Sequence, residues 1–271
     1  MTISIRPMRV LFAATLIAIG ITGIINGDFA LGWQDIPLHH VPGRTFLAYL
    51  CASIELATGL GLLLKPTLTL TCRILFPYML LWLVLLELPA VVRLSQHTDA
   101  WGSFGEIAII TTGAWCLFAA HAGVWEKAHL NFIVGTNGIR AARLLLIVSL
   151  PMIGLEVMAD AAKTGNSILP PWLQWLPFPT GWAYLSGVGS FAACLGLLFG
   201  VFPRLAATLE AAMLGTIAVV YWGPWLHTGR TATTAFLISW AIAAGVWLVA
   251  DTYRGVPWLA RGRASRGITL D

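Results

Sequence analysis

Eight long apolar stretches divide this chain, at about Arg9–Asn26, Thr45–Leu64, Ile74–Leu94, Phe104–His121, Ala141–Asp160, Gly181–Phe202, Leu205–Leu226 and Thr233–Ala250. Each is long enough to cross a bilayer core of about 30 Å at about 1.5 Å per residue. In hydrocarbon, every backbone N–H and C=O must be satisfied within its own segment, so the stretches are expected to be helices. The composition agrees: 58% of the 271 residues are apolar and 10% are charged, against about a quarter charged in ordinary soluble domains. A soluble enzyme, a disordered regulator and a disulfide scaffold are excluded. The expected class is an all-α polytopic membrane protein with eight transmembrane helices, in contact with the lipid bilayer.

The stretches fall into two sets of four. Arg9 pairs with Arg143 and Gly20 with Gly154 at one common offset in sequence. Thr45, Ala48-Tyr49-Leu50, Gly61-Leu62-Leu63 and Pro89 recur as Thr180, Ala183-Tyr184-Leu185, Gly196-Leu197-Leu198 and Pro224, at an offset longer by one. Phe104, Gly113 and Trp115 recur as Phe236, Gly245 and Trp247 at a slightly shorter offset, past a shorter loop. One register held over four helices with a single change of loop length predicts a tandem duplication. Because four is even, the repeats are expected to be parallel, related by an axis along the membrane normal. The expected units are residues 1–121 and 141–253, a linker over 122–140 and a basic tail over 254–271. Arg6 and Arg9 before an apolar run imitate a signal peptide. The match of that run to an internal helix, and the lack of an A-x-A site, predict that it is retained.

Cations set the expected orientation. Of the 16 Lys and Arg, 12 fall on the side of the two termini and 4 (Arg44, Arg93, Lys163 and Arg230) on the other, which predicts both termini in the cytoplasm. They form no basic stripe, so a net charge of +4 does not point to nucleic acid. Cys51, Cys72, Cys116 and Cys194 show no C-x-x-C spacing and read as small buried hydrophobes.

On the other side, Gly27–Arg44 carries Asp28, Asp35, His39, His40 and Arg44. Ala161–Thr180 contains Pro170-Pro171-Trp172-Leu173-Gln174-Trp175-Leu176-Pro177. Trp172 and Trp175 are expected in an interfacial aromatic belt, or in a lid over a site opening to that side. Glu55 falls mid-bilayer, flanked by Cys51, Thr58 and Gly59 on one helix face. That small-residue face predicts a helix–helix contact. Ionisable groups at such depth are costly, and two roles stay open: a proton carrier or hydrogen-bond donor to a quinone or other small molecule, or a carboxyl bonded to a neighbouring helix. Glu87, Arg93, His97, Glu106, Glu156, Asp160, His227 and Arg230 predict a polar collar around the outer mouth. It would guide protons or bind a periplasmic partner, or consist of side chains snorkelling at helix ends. Glu55 is matched by Ser190 in the second copy, so a single site would lie in the first. No histidine lies near a helix centre and no metal, P-loop or dinucleotide motif is present. The chain is therefore expected to bind no cofactor itself, with quinone the one candidate contact.

The block Ala48-Tyr49-Leu50…Ser53-Ile54-Glu55-Leu56-Ala57-Thr58-Gly59-Leu60-Gly61-Leu62-Leu63-Leu64, with Arg9 and Gly20 in the preceding helix, resembles the DoxX-like family. These are four-helix membrane proteins related to the DoxD subunit of archaeal thiosulfate:quinone oxidoreductase and to MauE. The resemblance covers nearly the whole chain as two fused copies, and the family's second-helix glutamate matches Glu55. It implies a prokaryotic inner membrane and an accessory or anchoring subunit of a quinone-linked redox complex. A structural or assembly subunit packed against other membrane or periplasmic proteins, and a small-solute transporter, remain as alternatives.

Overall fold

The computed structural model describes residues 7–30, 33–34, 42–165, 169, 173 and 175–261. Eight helices in it are long and apolar enough to cross a membrane: α1 (Pro7–Asn26), α2 (Arg44–Leu63), α3 (Leu68–Arg93), α4 (Thr98–Ala120), α5 (Gly135–Thr164), α6 (Pro179–Phe199), α7 (Pro203–Thr228) and α8 (Arg230–Asp251). A short helix, Val124–His129, lies between α4 and α5. The expected eight spans are all present, and this is a multi-pass membrane protein.

Several helices outrun their apolar stretches. α3 starts at Leu68 rather than near Ile74, α4 at Thr98 rather than Phe104, and α5 runs for 30 residues from Gly135 to Thr164. Apolarity marks the part in hydrocarbon, whereas backbone hydrogen bonding carries a helix on through its charged ends. Arg73 shows how: it sits inside α3, half-exposed, and pairs with Glu126 from the short helix.

Both long, interrupted helices are bent by proline. Pro89 cannot donate to the carbonyl four residues back and clashes with it. The turn before it, Leu83–Glu87, opens into a π-helix. The same happens at Ala218–Trp222 before Pro224, after which the chain tightens into the 3₁₀ segment Gly223–Thr228. A π turn absorbs one extra residue per turn and re-aims the side chains on it. The two π turns stand at the same separation in sequence as Pro89 and Pro224. So do the starts of α3 and α7 and the starts of α2 and α6.

α4 and α8 form the centre. The apolar windows of these helices are 72% and 61% buried, against 28–44% for the other six. α4 packs on α3, α5 and α8, and α8 on α7, α1 and α4. Thus each central helix touches both the helix preceding it and a helix of the other half. The two cross at Gly113 and Gly245, where a Cβ on Gly113 would stand 2.8 Å from the Gly245 Cα and a Cβ on Gly245 would stand 2.7 Å from the Ile109 carbonyl oxygen. Only two glycines permit backbones this close. The outer helices expose Leu81, Leu85 and Val92 of α3 and Leu195, Leu198 and Phe199 of α6, an apolar surface suited to lipid.

Side-chain clasps tie the two ends. Arg143 of α5 donates to the Thr252 hydroxyl (2.9 Å) and carbonyl (2.6 Å) at the end of α8 and lies 3.6 Å from the Tyr253 ring centroid. At the opposite end, Asp28 bridges Arg44 (2.9 Å) and Arg230 (3.1 Å), while Arg230 also donates to the Phe29 carbonyl. That clasp joins the segment after α1 to the starts of α2 and α8.

Candidate functional site

Glu55 sits midway along α2 and is 1% exposed. Its Oε1 accepts from Gln34 Nε2 (2.6 Å) and from the Tyr78 hydroxyl of α3 (2.8 Å). Gln34 is fixed in turn by the Ala30 N–H, which donates to its Oε1 at 3.2 Å. Phe29, Trp33 and Gln34 of the segment after α1 are all nearly fully buried, Gln34 on Glu55 and Phe29 edge-on to Trp82 at 6.1 Å. Tyr78 and Trp82 close it from the side, their rings edge-on at 6.1 Å. The carboxyl is therefore the centre of a packed three-residue network joining α2, α3 and the α1–α2 connection. A buried network with its members satisfied rigidifies its surroundings.

The position matching Glu55 is Ser190 on α6, a buried residue that borders a cavity. A cavity of about 270 Å³ runs from Asp160, one turn from the end of α5, to Ser190 halfway along α6. Its polar wall is Glu106 of α4, Glu156 and Asp160 of α5, Ser186 and Ser190 of α6, Tyr221 of the second π turn and Ser239 of α8. Ile153, Met213, Leu214, Ile217 and Ile242 supply the apolar remainder. The counterparts explain the contrast. Met213 and Ile217 stand where the first half has Tyr78 and Trp82, and Ser186 where it has Cys51. Shorter side chains leave the hole, and the second π turn brings Tyr221 and Trp222 to its edge.

Glu156 is seated directly over Gly102 of α4, where any Cβ would collide with the carboxyl. It is within electrostatic reach of Glu106, Asp99 and Asp160. No Lys, Arg or His is among the described residues lining the cavity. Several carboxyls thus share one cavity with hydroxyls and apolar walls, an arrangement able to take up and pass protons.

The eight collar residues do not form one ring. Glu106, Glu156 and Asp160 come together in the cavity wall. Glu87, 7% exposed, lies in the first π turn and faces Glu106 electrostatically. Arg93, His97 and His227 are exposed outside the cavity, and Arg230 turns to Asp28 and Phe29. Asp28 lies beyond the spans. Burial pushes its carboxyl up, but the Phe29 amide and the two arginines outweigh that and hold it below its ordinary value of 3.8. On the basic side, the Arg73 guanidinium hydrogen-bonds Glu126 and keeps its carboxyl below the usual range. Trp175 is 76% exposed. Trp172, His39 and His40 fall outside the described residues.

Sequence reasoning named Glu55 as the one acid at mid-bilayer. The structure adds Glu210 of α7, 2% exposed, whose Oε1 accepts from the Ser190 hydroxyl at 2.8 Å. The second half thus places its buried carboxyl on the third helix of the unit, beside the serine that replaces Glu55. The signal was present: Glu210 is the only acid in the stretch Leu205–Leu226. Gln34 gave none, since nothing local says that a loop side chain will enter the bundle.

The four cysteines are buried and free of disulfides. Among the described residues, no three His, Cys, Asp or Glu side chains gather as they would around a metal. No protein-family profile, curated protein or solved structure matches this chain.

Proposed function

We propose that this is a DoxX-like protein of two tandem four-helix repeats, with both termini in the cytoplasm of a prokaryotic inner membrane, serving as an accessory or anchoring subunit of a quinone-linked redox complex. The repeat reading is supported by element starts and π turns that recur at one constant separation in sequence. The orientation is supported by the excess of cations on one side, 12 against 4.

The observation that carries the functional reading is the cavity of about 270 Å³ with Glu106 and Glu156 in its wall. It joins three properties that a quinone ring requires: apolar side chains for its faces, hydroxyls for its oxygens and carboxyls for its protons. Ser239 and Tyr221 would orient the ring oxygens by hydrogen bonding. Glu106 and Glu156 would hold the protons, and Asp160 leads from them towards the end of α5. A bound quinone would supply a two-electron, two-proton couple, with the electrons exchanged with a partner subunit. Glu55, packed against Gln34 and Tyr78, is assigned a structural role in this scheme.

The test is purification from native membranes in mild detergent, followed by quinone extraction and quinone-reductase assay of whatever co-purifies. The expected result is a redox partner, bound quinone, and activity lost in Glu106→Gln but kept in Glu55→Gln. A chain isolated alone, without quinone, and able by itself to move a solute into proteoliposomes would replace this reading with a transporter.

A further inference from the structure

A second hollow lies on the lipid side of the same half. Between α6 and α7 runs an apolar trough of about 570 Å³. Gly189, Ala192 and Gly196 form one wall and Ala206 and Leu209 the other, with Glu210 at its deep end. In the first half, Ile54 and Thr71 stand at the positions of Gly189 and Ala206, so larger side chains occupy the corresponding place. The trough begins at the turn Val201–Phe202.

The chain after α8 returns across that turn. The Phe202 N–H donates to the Ala260 carbonyl at 2.9 Å, and Val201 bridges Arg261 in an isolated antiparallel pair. The strap carries Arg261 to the rim of the trough, and Arg204 stands at the start of α7, two residues past Phe202. Arg261 lies 5.4 Å from the centroid of Phe202, a rim residue. Arg204 stacks on Trp258 at 4.0 Å and spends one N–H on the Arg254 carbonyl at 3.3 Å. Among the described residues, no carboxylate pairs with either arginine. Trp258 is 45% exposed, as suits an indole at the headgroup level.

We propose that the α6–α7 trough and the Arg204–Arg261 mouth bind one anionic phospholipid, its phosphate on the guanidinium groups and an acyl chain lying along the trough. Two observations meet here. An apolar trough with glycine and alanine among larger apolar side chains, on a lipid-facing surface, accepts a chain of methylenes. Cations at its end, with no acid partner among the described residues, supply the charge that a phosphodiester complements, with guanidinium geometry suited to paired contacts. Basic pockets at the end of transmembrane helices take anionic headgroups in this way. From Pro203 to Glu210 the trough is about 10 Å deep at about 1.5 Å per residue, so the bound chain reaches the Ser190–Glu210 pair.

Native mass spectrometry of the full chain, released from nanodiscs of mixed phosphatidylglycerol and phosphatidylcholine, tests it. The expected result is one retained phosphatidylglycerol, reduced at least tenfold in the double variant Arg204→Gln/Arg261→Gln and also in Ala192→Phe, which fills the trough and leaves both arginines. Millimolar inorganic phosphate should not displace the lipid, since the acyl chain contributes to binding. In the unaltered protein, phosphatidylglycerol carrying a photoreactive tail should crosslink within residues 189–209, a result independent of whether any variant folds. Equal retention of the two lipids, displacement by phosphate alone, crosslinks elsewhere, or a second copy of the chain seated on α6 and α7 would each overturn the proposal.

Discussion

Around Glu55 the first half of the molecule is filled, whereas around Ser190, its counterpart, the second half is hollow. Both places lie midway along the second helix of a four-helix set and face the third. In the first, Trp33 and Gln34 enter from the α1–α2 connection, and Tyr78 and Trp82 close the side. In the second, Met213 and Ile217 replace the two rings, Ser186 and Ser190 line open space, and the buried carboxyl moves to Glu210. Similar helices can therefore yield a rigid node or a cavity according to a few side chains. The packed carboxyl belongs to one half and the polar cavity to the other.

The largest effect should come from the hollow half. In the intact complex, Glu106→Gln removes a proton-holding carboxyl and should lower quinone turnover by about two to four orders of magnitude. Glu55→Gln should leave turnover within about twofold. The reverse ranking in a quinone-reductase assay would move the chemistry back to the filled half.

Next in size is the stability of the filled half. Trp33→Ala removes a buried ring from the segment after α1 and should cost about 3–5 kcal/mol, measured by reversible unfolding in mixed detergent. Tyr78→Phe keeps the ring but removes a donor to the buried carboxyl, and should cost about 1–3 kcal/mol. Ser190→Ala, which deletes the corresponding donor in the hollow half, should cost less than Tyr78→Phe, because Ser190 borders the cavity whereas Tyr78 is held between Trp82 and Gln34. Equal losses would show the two environments to be alike.

The smallest effect belongs to the clasp that steadies the filled half from outside. Asp28 is held below its ordinary carboxyl value by the Phe29 amide, Arg230 and Arg44, against the upward push of burial. A depressed folded-state value means that the clasp stabilises fully above about pH 4 and is lost as pH falls through the lower folded value. Because the three side chains are 21–30% exposed, solvent screening reduces the gain to about 1 kcal/mol. Asp28→Asn should lower stability by that amount at pH 7 and by progressively less as pH falls below about 4.

The eight spans were legible because a helix in lipid must be long and apolar throughout, and Pro89 and Pro224 marked where two of them are interrupted. The π turns preceding those prolines were not legible, since a one-residue widening leaves no mark on hydropathy. Glu55 stood out by its depth, yet whether it faced a ligand or a lid depended on Gln34, brought in by a loop of no regular pattern. The same limit applied to Ser190. Sequence showed that Ser190 stands where the first half has Glu55, while the cavity is lined by two smaller side chains on α7, Met213 and Ile217. Packing of this kind depends on which residues meet across helices, and a linear order of residues does not record it.

The contrast between filled and hollow is tested most directly by a pair of thiols at matching positions. Cys51 is native to the filled half, and Ser186→Cys places its counterpart in the cavity wall. With Cys72, Cys116 and Cys194 replaced by alanine, each site is exposed to a small water-soluble methanethiosulfonate reagent and modification is followed by intact-mass spectrometry. The account predicts rapid labelling at 186 and at least a hundredfold slower labelling at Cys51. Comparable rates at the two positions would contradict it.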